Sequence, residues 1–169
     1  AKKLRSNPAW IQRHINDPFV KKSKAMGYRA RSAFKIMEIL DKDRLLATGM
    51  SVVDLGSAPG SWTQVLCERL RGEGGAMRCK VVALDILPME PVEGAVFLQG
   101  DFREQEAADR LAAELGGGKI DLVVSDMAPN LSGVPMVDAI AGALLNELAL
   151  DFACEHLKPS GAFVVKVFQ

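Results

Sequence analysis

Five short runs of almost wholly apolar residues recur along this chain, separated by segments with helical spacing. The runs are Ser51–Leu55, Lys80–Ile86, Ala95–Gln99, Ile120–Ser125 and Ala162–Phe168. A strand that is apolar at consecutive positions has both faces covered, as in a parallel sheet. The intervening segments supply the cover. Residues 29–46 carry a stripe of Ala33, Phe34, Met37 and Leu40, widened by Ile36. Ser61–Leu70 is helical, Glu104–Leu115 ends in Gly116-Gly117-Gly118, and Val137–Leu157 ends in Pro159-Ser160-Gly161. The alternation predicts an α/β fold, a doubly wound and mostly parallel sheet with helices on both faces and right-handed crossovers. The chain has 169 residues, enough for one such domain. Its last run sits at the C-terminus, where a further helix and strands ordinarily follow, so more chain is expected beyond Gln169.

Charge divides the chain in two. Residues 1–35 hold ten basic side chains and one acid, Asp17, whereas the remainder holds 11 basic and 20 acidic groups, so a net charge of zero hides +9 against −9. Such asymmetry suggests a polyanion-binding arm on an acidic body. Residues 1–28 read as that arm, extended or loosely helical, with turn or helix-start signals at Asn7-Pro8 and Asp17-Pro18. Trp10 and Tyr28 among the charges lean the reading toward nucleic acid; a solvated basic tail is the plainer alternative.

Other classes are disfavoured. Cys67, Cys79 and Cys154 lack ligand-like spacing, and His14 and His156 are far apart, so no metal site is expected. No apolar run approaches the roughly 20 residues of a membrane span. The N-terminus lacks the apolar core of a secretory signal. Free thiols fit a reducing compartment, and a cytoplasm of bacterial type is the expectation.

The segment Asp54-Leu55-Gly56-Ser57-Ala58-Pro59-Gly60-Ser61-Trp62 passes from strand to helix. Gly56 and Gly60 allow a tight turn and close approach of a ligand. Their spacing is G-x-x-x-G rather than the G-x-G-x-x-G of a pyrophosphate cradle. Two more acids end the next strands. Asp85 is placed to accept from ribose hydroxyls. It comes 31 residues after Asp54, against roughly 20 in dinucleotide binders, with the glycine-rich stretch 72–80 absorbing the excess. Asp101 is placed to accept from an adenine amino group, with Phe102 flanking the ring. Each acid alone reads better as a helix cap. Three at successive strand ends, with a glycine loop, favour a nucleoside ligand. Asp126 ends the fourth strand, and Lys166 lies inside the fifth apolar run, where burying a lysine is costly without a partner. Lys166 beside Asp126 reads as an ion-paired or reactive lysine, with Lys35 on the first predicted helix adding a second positive charge.

The motifs DLGSAPGSW, LDILPM, LQGDF, SDMAPNLSG and FVVKVFQ, in that order, closely resemble the FtsJ-like ribosomal RNA large-subunit methyltransferases, also called methyltransferase E. The resemblance runs from about Asp17 to Gln169 and includes NDPFVKKSKAMGYRARSAFKI. It implies a Rossmann-like, class I methyltransferase domain over residues 29–169, using S-adenosylmethionine and releasing S-adenosylhomocysteine. It implies methylation of the ribose 2′-hydroxyl of a uridine in large-subunit rRNA on the assembled particle, with tRNA and mRNA caps as substrates of related enzymes. The family's catalytic set is Lys-Asp-Lys-Glu; its first three members match Lys35, Asp126 and Lys166, and the glutamate falls after Gln169. Cofactor contacts carry over to Gly60, Trp62, Asp85, Asp101 and Asp126, beside the Gly56 turn. Ser61 departs from the glycine frequent at that position, and Asp138–Gly142 lacks an arginine often present. A small-molecule methyltransferase, a dinucleotide oxidoreductase and a non-catalytic RNA-binding assembly factor are the rival readings. A monomer is expected, acting without a metal or a membrane.

Overall fold

The computed structural model describes residues 8–167. The order of elements is α1 (Pro8–Asn16), α2 (Pro18–Ala25), α3 (Ala33–Lys42), β1 (Ser51–Leu55), α4 (Ser61–Leu70), β2 (Lys80–Asp85), β3 (Ala95–Gln99), α5 (Gln105–Glu114), β4 (Ile120–Ser125), α6 (Pro135–His156) and β5 (Leu157–Val165), with a 3-10 turn at Glu73–Gly75. The strands form one sheet in the order β3-β2-β1-β4-β5, and every pairing among them is parallel. This is the doubly wound α/β fold. Between β1 and β4 the strand order reverses, so the loops leaving those two strands diverge and open a crevice.

The pleat explains why the strands are apolar throughout. Val52, Val81, Leu122 and Val124 face a cluster completed by Ile36 and Leu40 of α3 and Trp62, Val65, Leu66 and Leu70 of α4. Val53, Leu55, Val82, Leu84 and Val123 face the opposite cluster, with Leu111 of α5 and Ala149, Phe152 and Ala153 of α6. Successive strand residues point to opposite faces, so one run feeds two cores.

Several boundaries differ from the sequence expectation. The helix expected over 29–46 begins at Ala33 and ends at Lys42. Residues 8–25, expected to be extended or loosely helical, form two helices. The Asp17 carboxylate caps α2 by accepting from the Phe19 N–H at 2.8 Å, with Pro18 at the first helical position. This short helix is docked: Val20 and Ser23 are buried, and the Lys22 ammonium lies 4.9 Å from the Phe34 ring centre. The fifth strand starts earlier, because Leu157 pairs with Ile120 before pairing resumes at Ala162 and Leu122. Residues 158–161 bulge between these contacts, which is how Pro159-Ser160-Gly161 interrupts a strand without ending it. Residues 1–7 and Phe168–Gln169 lie outside the described residues, and with them Lys2, Lys3, Arg5 and the end of the fifth apolar run. Among the described residues no helix is long and apolar enough to cross a membrane.

Candidate functional site

A parallel sheet brings the carboxyl ends of all its strands to one edge. Backbone pairing continues past the strands and fixes the loops there. The Gly56 N–H donates to the Leu84 carbonyl at 2.8 Å and the Asp126 N–H to the Leu55 carbonyl at 2.9 Å. The Lys166 N–H donates to the Ser125 carbonyl at 3.0 Å. At this edge lies a cavity of about 400 Å³, lined among others by Gly56, Ala58, Asp85, Asp101, Phe102, Asp126 and Met127, with Ala141 and Leu145 from α6.

Gly56 is required by its surroundings. Its φ is +73°, and a β-carbon there would stand 2.7 Å from the backbone nitrogen and Cα of Met127. The β1 and β4 loops therefore touch backbone to backbone, which only glycine permits. Gly60, with φ +112°, opens α4. Trp62 is buried in the core beneath α3, its indole N–H donating to the Ser32 carbonyl at 3.1 Å, and it does not line the cavity.

The carboxylates differ in occupation. Asp85 accepts the Ala58 N–H and the Leu87 N–H, each at 2.8 Å, so it clamps the glycine loop to the turn after β2. Asp101 accepts from the Arg103 backbone at 3.0 Å and is gripped by the Arg103 guanidinium at 2.6 to 3.1 Å, which lowers its pKa. Asp126 forms an ion pair with Lys166. Burial raises the Asp126 pKa, Lys166 opposes the rise, and the Asp85 charge adds to it. Asp54 is wholly buried and does not line the cavity. The Thr63 hydroxyl donates to its Oδ2 at 2.7 Å, while Oδ1 has no hydrogen-bond partner among the described residues. Burial pushes the Asp54 pKa up to about 7; Thr63 opposes this, and Asp126 and Asp85 reinforce it.

Of the residues singled out from sequence, the structure brings Gly56, Asp85, Asp101 and Asp126 to one cavity and joins Lys166 to Asp126. Lys35 stands on the exposed side of α3 and pairs with Glu38 at 3.4 Å. Sequence reasoning missed Met127, the floor against Gly56, and Arg29, which it counted only as charge.

A matching family model, described as FtsJ-like methyltransferase, covers residues 28–169. A relative from Bordetella pertussis, named ribosomal RNA large subunit methyltransferase E, is 58% identical over 94% of this chain and 76% of its own length. The chain belongs to the FtsJ-like methyltransferase family. A crystal structure from Plasmodium falciparum bearing the name ribosomal RNA methyltransferase superposes with a TM-score of 0.74 at 27% identity, over 84% of this chain and 79% of that one. The MycE methyltransferase of mycinamycin biosynthesis, solved with Mg and S-adenosylhomocysteine, shares the fold at a TM-score of 0.55 and 16% identity, over 89% of this chain and 36% of its own. The matched segment contains the glycine loop and the strand-end acids.

Proposed function

We propose that this FtsJ-like chain is an S-adenosylmethionine-dependent RNA ribose 2′-O-methyltransferase. Its substrate is a uridine of large-subunit rRNA in the assembled subunit, and it works as a monomer in a bacterial-type cytoplasm. The observation that carries the reading is the Asp126–Lys166 pair beside the strand-end cavity.

The cavity suits the cofactor by size and chemistry. Its volume of about 400 Å³ lies within the roughly 300–1,000 Å³ of small-molecule pockets. Asp85 and Asp101 offer acceptors for hydroxyl and amino donors, Phe102 and Met127 offer apolar surface, and Asp126 offers negative charge. When bound, S-adenosylmethionine supplies an electrophilic methyl group. Gly56 and Gly60 let the loop approach it; Trp62 supports that loop from the core side.

A ribose hydroxyl is a poor nucleophile near neutral pH, so a positioned proton acceptor helps. Lys166 takes that role after releasing its own proton to solvent, its neutral amine then accepting the 2′-hydroxyl proton. Asp126 orients the Lys166 head and balances positive charge. Lys35 engages the target ribose or its phosphate. Basic residues of the arm 1–28, together with Arg31, contact phosphates and steer the RNA without choosing its sequence. The name of the Bordetella relative supports the choice of rRNA.

The test is product analysis. Protein, S-adenosylmethionine and large subunits from cells lacking this methylation are incubated, and the rRNA is digested to nucleosides. The expected product is 2′-O-methyluridine. A methylated base, or no methyl transfer despite bound cofactor, overturns the reading.

A further inference from the structure

Arg29 lies between α2 and α3, yet its guanidinium reaches across to two loops at the sheet edge. Nη1 donates to the Pro59 carbonyl at 3.0 Å and to the Glu90 carbonyl at 2.6 Å, and Nη2 donates to the Pro91 carbonyl at 2.8 Å. Its backbone N–H donates to Gln64 Oε1 at 2.9 Å, and Gln64 in turn donates to the Gly27 carbonyl at 3.1 Å. Both ends of Arg29 are thus tied to the unit formed by the glycine loop and α4. The side chain also covers Gly60, where a β-carbon would stand 2.7 Å from Arg29 Nη1 and 3.0 Å from Met89 Sδ.

The two loops it joins are separate in sequence and both contribute to the cavity. Ala58 comes from one, and Ile86 and Leu87 from the other. On the cavity side they are held by the two Asp85 bonds, to Ala58 and Leu87. Arg29 supplies a second clamp. A guanidinium presents donors in a fixed fork from two nitrogens and so reaches three carbonyls of the two loops, whereas an ammonium presents its three donors from a single atom on a different stem.

We propose that Arg29 is a positioning residue that sets the spacing of the glycine loop and the β2–β3 loop, and thereby the affinity for the methyl donor. The inference rests on reading the cavity as the cofactor site. Arg29 belongs by charge to the basic N-terminal segment, but its hydrogen bonds assign it to cofactor binding rather than to RNA phosphate.

Calorimetry with S-adenosylhomocysteine, an RNA-binding titration and steady-state kinetics on Arg29→Ala and Arg29→Lys decide it. Both variants should bind S-adenosylhomocysteine more weakly, Arg29→Ala by about tenfold or more, the equivalent of one charge-assisted hydrogen bond. The KM for S-adenosylmethionine should rise while kcat at saturating cofactor and the affinity for RNA are retained. A merely structural role would lower kcat with the folded fraction and leave KM alone. If Arg29→Ala melts before ligand is added, Arg29→Lys, which keeps the charge and the aliphatic stem, decides. Wild-type affinity for S-adenosylhomocysteine in Arg29→Lys, or loss of RNA affinity with cofactor binding intact, overturns the proposal. Failure of the wild-type protein to bind S-adenosylhomocysteine would instead overturn the cofactor reading itself.

Discussion

Asp126 and Lys166 stand side by side one residue beyond the last registered pair of β4 and β5, Ser125 and Val165. Adjacent positions on parallel neighbours project to the same side of a sheet, so the register itself delivers the ammonium to the carboxylate. The Lys166 N–H bond to the Ser125 carbonyl then fixes the backbone that carries it. The pair is therefore a product of strand order, and it sits where the Asp126 carboxylate also lines the cavity.

Lys166→Ala should reduce turnover by about 10²–10⁴-fold, the usual contribution of a positioned acid or base. Binding of S-adenosylhomocysteine, measured by calorimetry, should be nearly unchanged. An equal fall in affinity and in turnover would mean that Lys166 holds the cofactor instead of handling the proton.

Asp54 should make stability fall as pH rises. Its folded pKa is pushed up to about 7, above the ordinary carboxylate value, so the folded state holds a proton that the unfolded chain has lost. The unfolded chain therefore binds fewer protons between about pH 4 and 7, and unfolding free energy declines across that window. The penalty is complete above the folded pKa. Asp54→Asn keeps an acceptor for Thr63 and removes the titration. Urea unfolding at a series of pH values should show a flatter profile for the variant; an unaltered slope would show that Asp54 ionises normally.

Gly56→Ala and Gly74→Ala separate strain from collision. Both glycines have positive φ, +73° and +79°, so each alanine costs about 1–3 kcal/mol of backbone strain. Gly74 has open space for a methyl group, whereas Gly56 abuts the Met127 backbone. Melting should be lowered more by the Gly56 variant, and only that variant should lose affinity for S-adenosylhomocysteine. Equal behaviour of the two would show that the Met127 backbone gives way at no cost.

Lys21 and Lys24 are exposed on the docked helix α2. Replacing both with Gln should weaken RNA binding and reduce the slope of log affinity against log salt. The slope should drop by about 0.7 for each phosphate of single-stranded RNA that these lysines neutralise. Cofactor affinity should not move. A salt slope equal to the wild-type value would exclude these lysines from the RNA interface.

Much of the site was legible because its parts are local. Gly56 and Gly60 mark a turn wherever they occur, and Asp85, Asp101 and Asp126 announce themselves by ending apolar runs. The partners of these groups were not legible. Asp101 is gripped by Arg103 two residues later, a pairing that charge alone does not distinguish from solvent exposure. Lys35, matched by resemblance to the catalytic set, pairs with Glu38 on its own helix, an interaction the helical spacing allows. Trp62 is turned into the core by a bond to Ser32 that no pattern indicates. The two helices of residues 8–25 were legible only at their starts, which Pro8 and Pro18 mark, because packing of α1 on α2 and of α2 on Phe34 of α3, rather than a long apolar stripe, supports them.

The sequence by itself determined the alternation of strand and helix, the positions of the turns and the family, because periodicity, glycine and proline act over a few residues and ordered motifs are specific. Tertiary structure alone decided the strand order β3-β2-β1-β4-β5, and with it which acids share a crevice. It also decided that Arg29 reaches Pro91, 62 positions away, and that Met127 fills the space a side chain at Gly56 would need. Contacts between distant segments depend on how whole elements pack, and no local pattern encodes the distance between two loops.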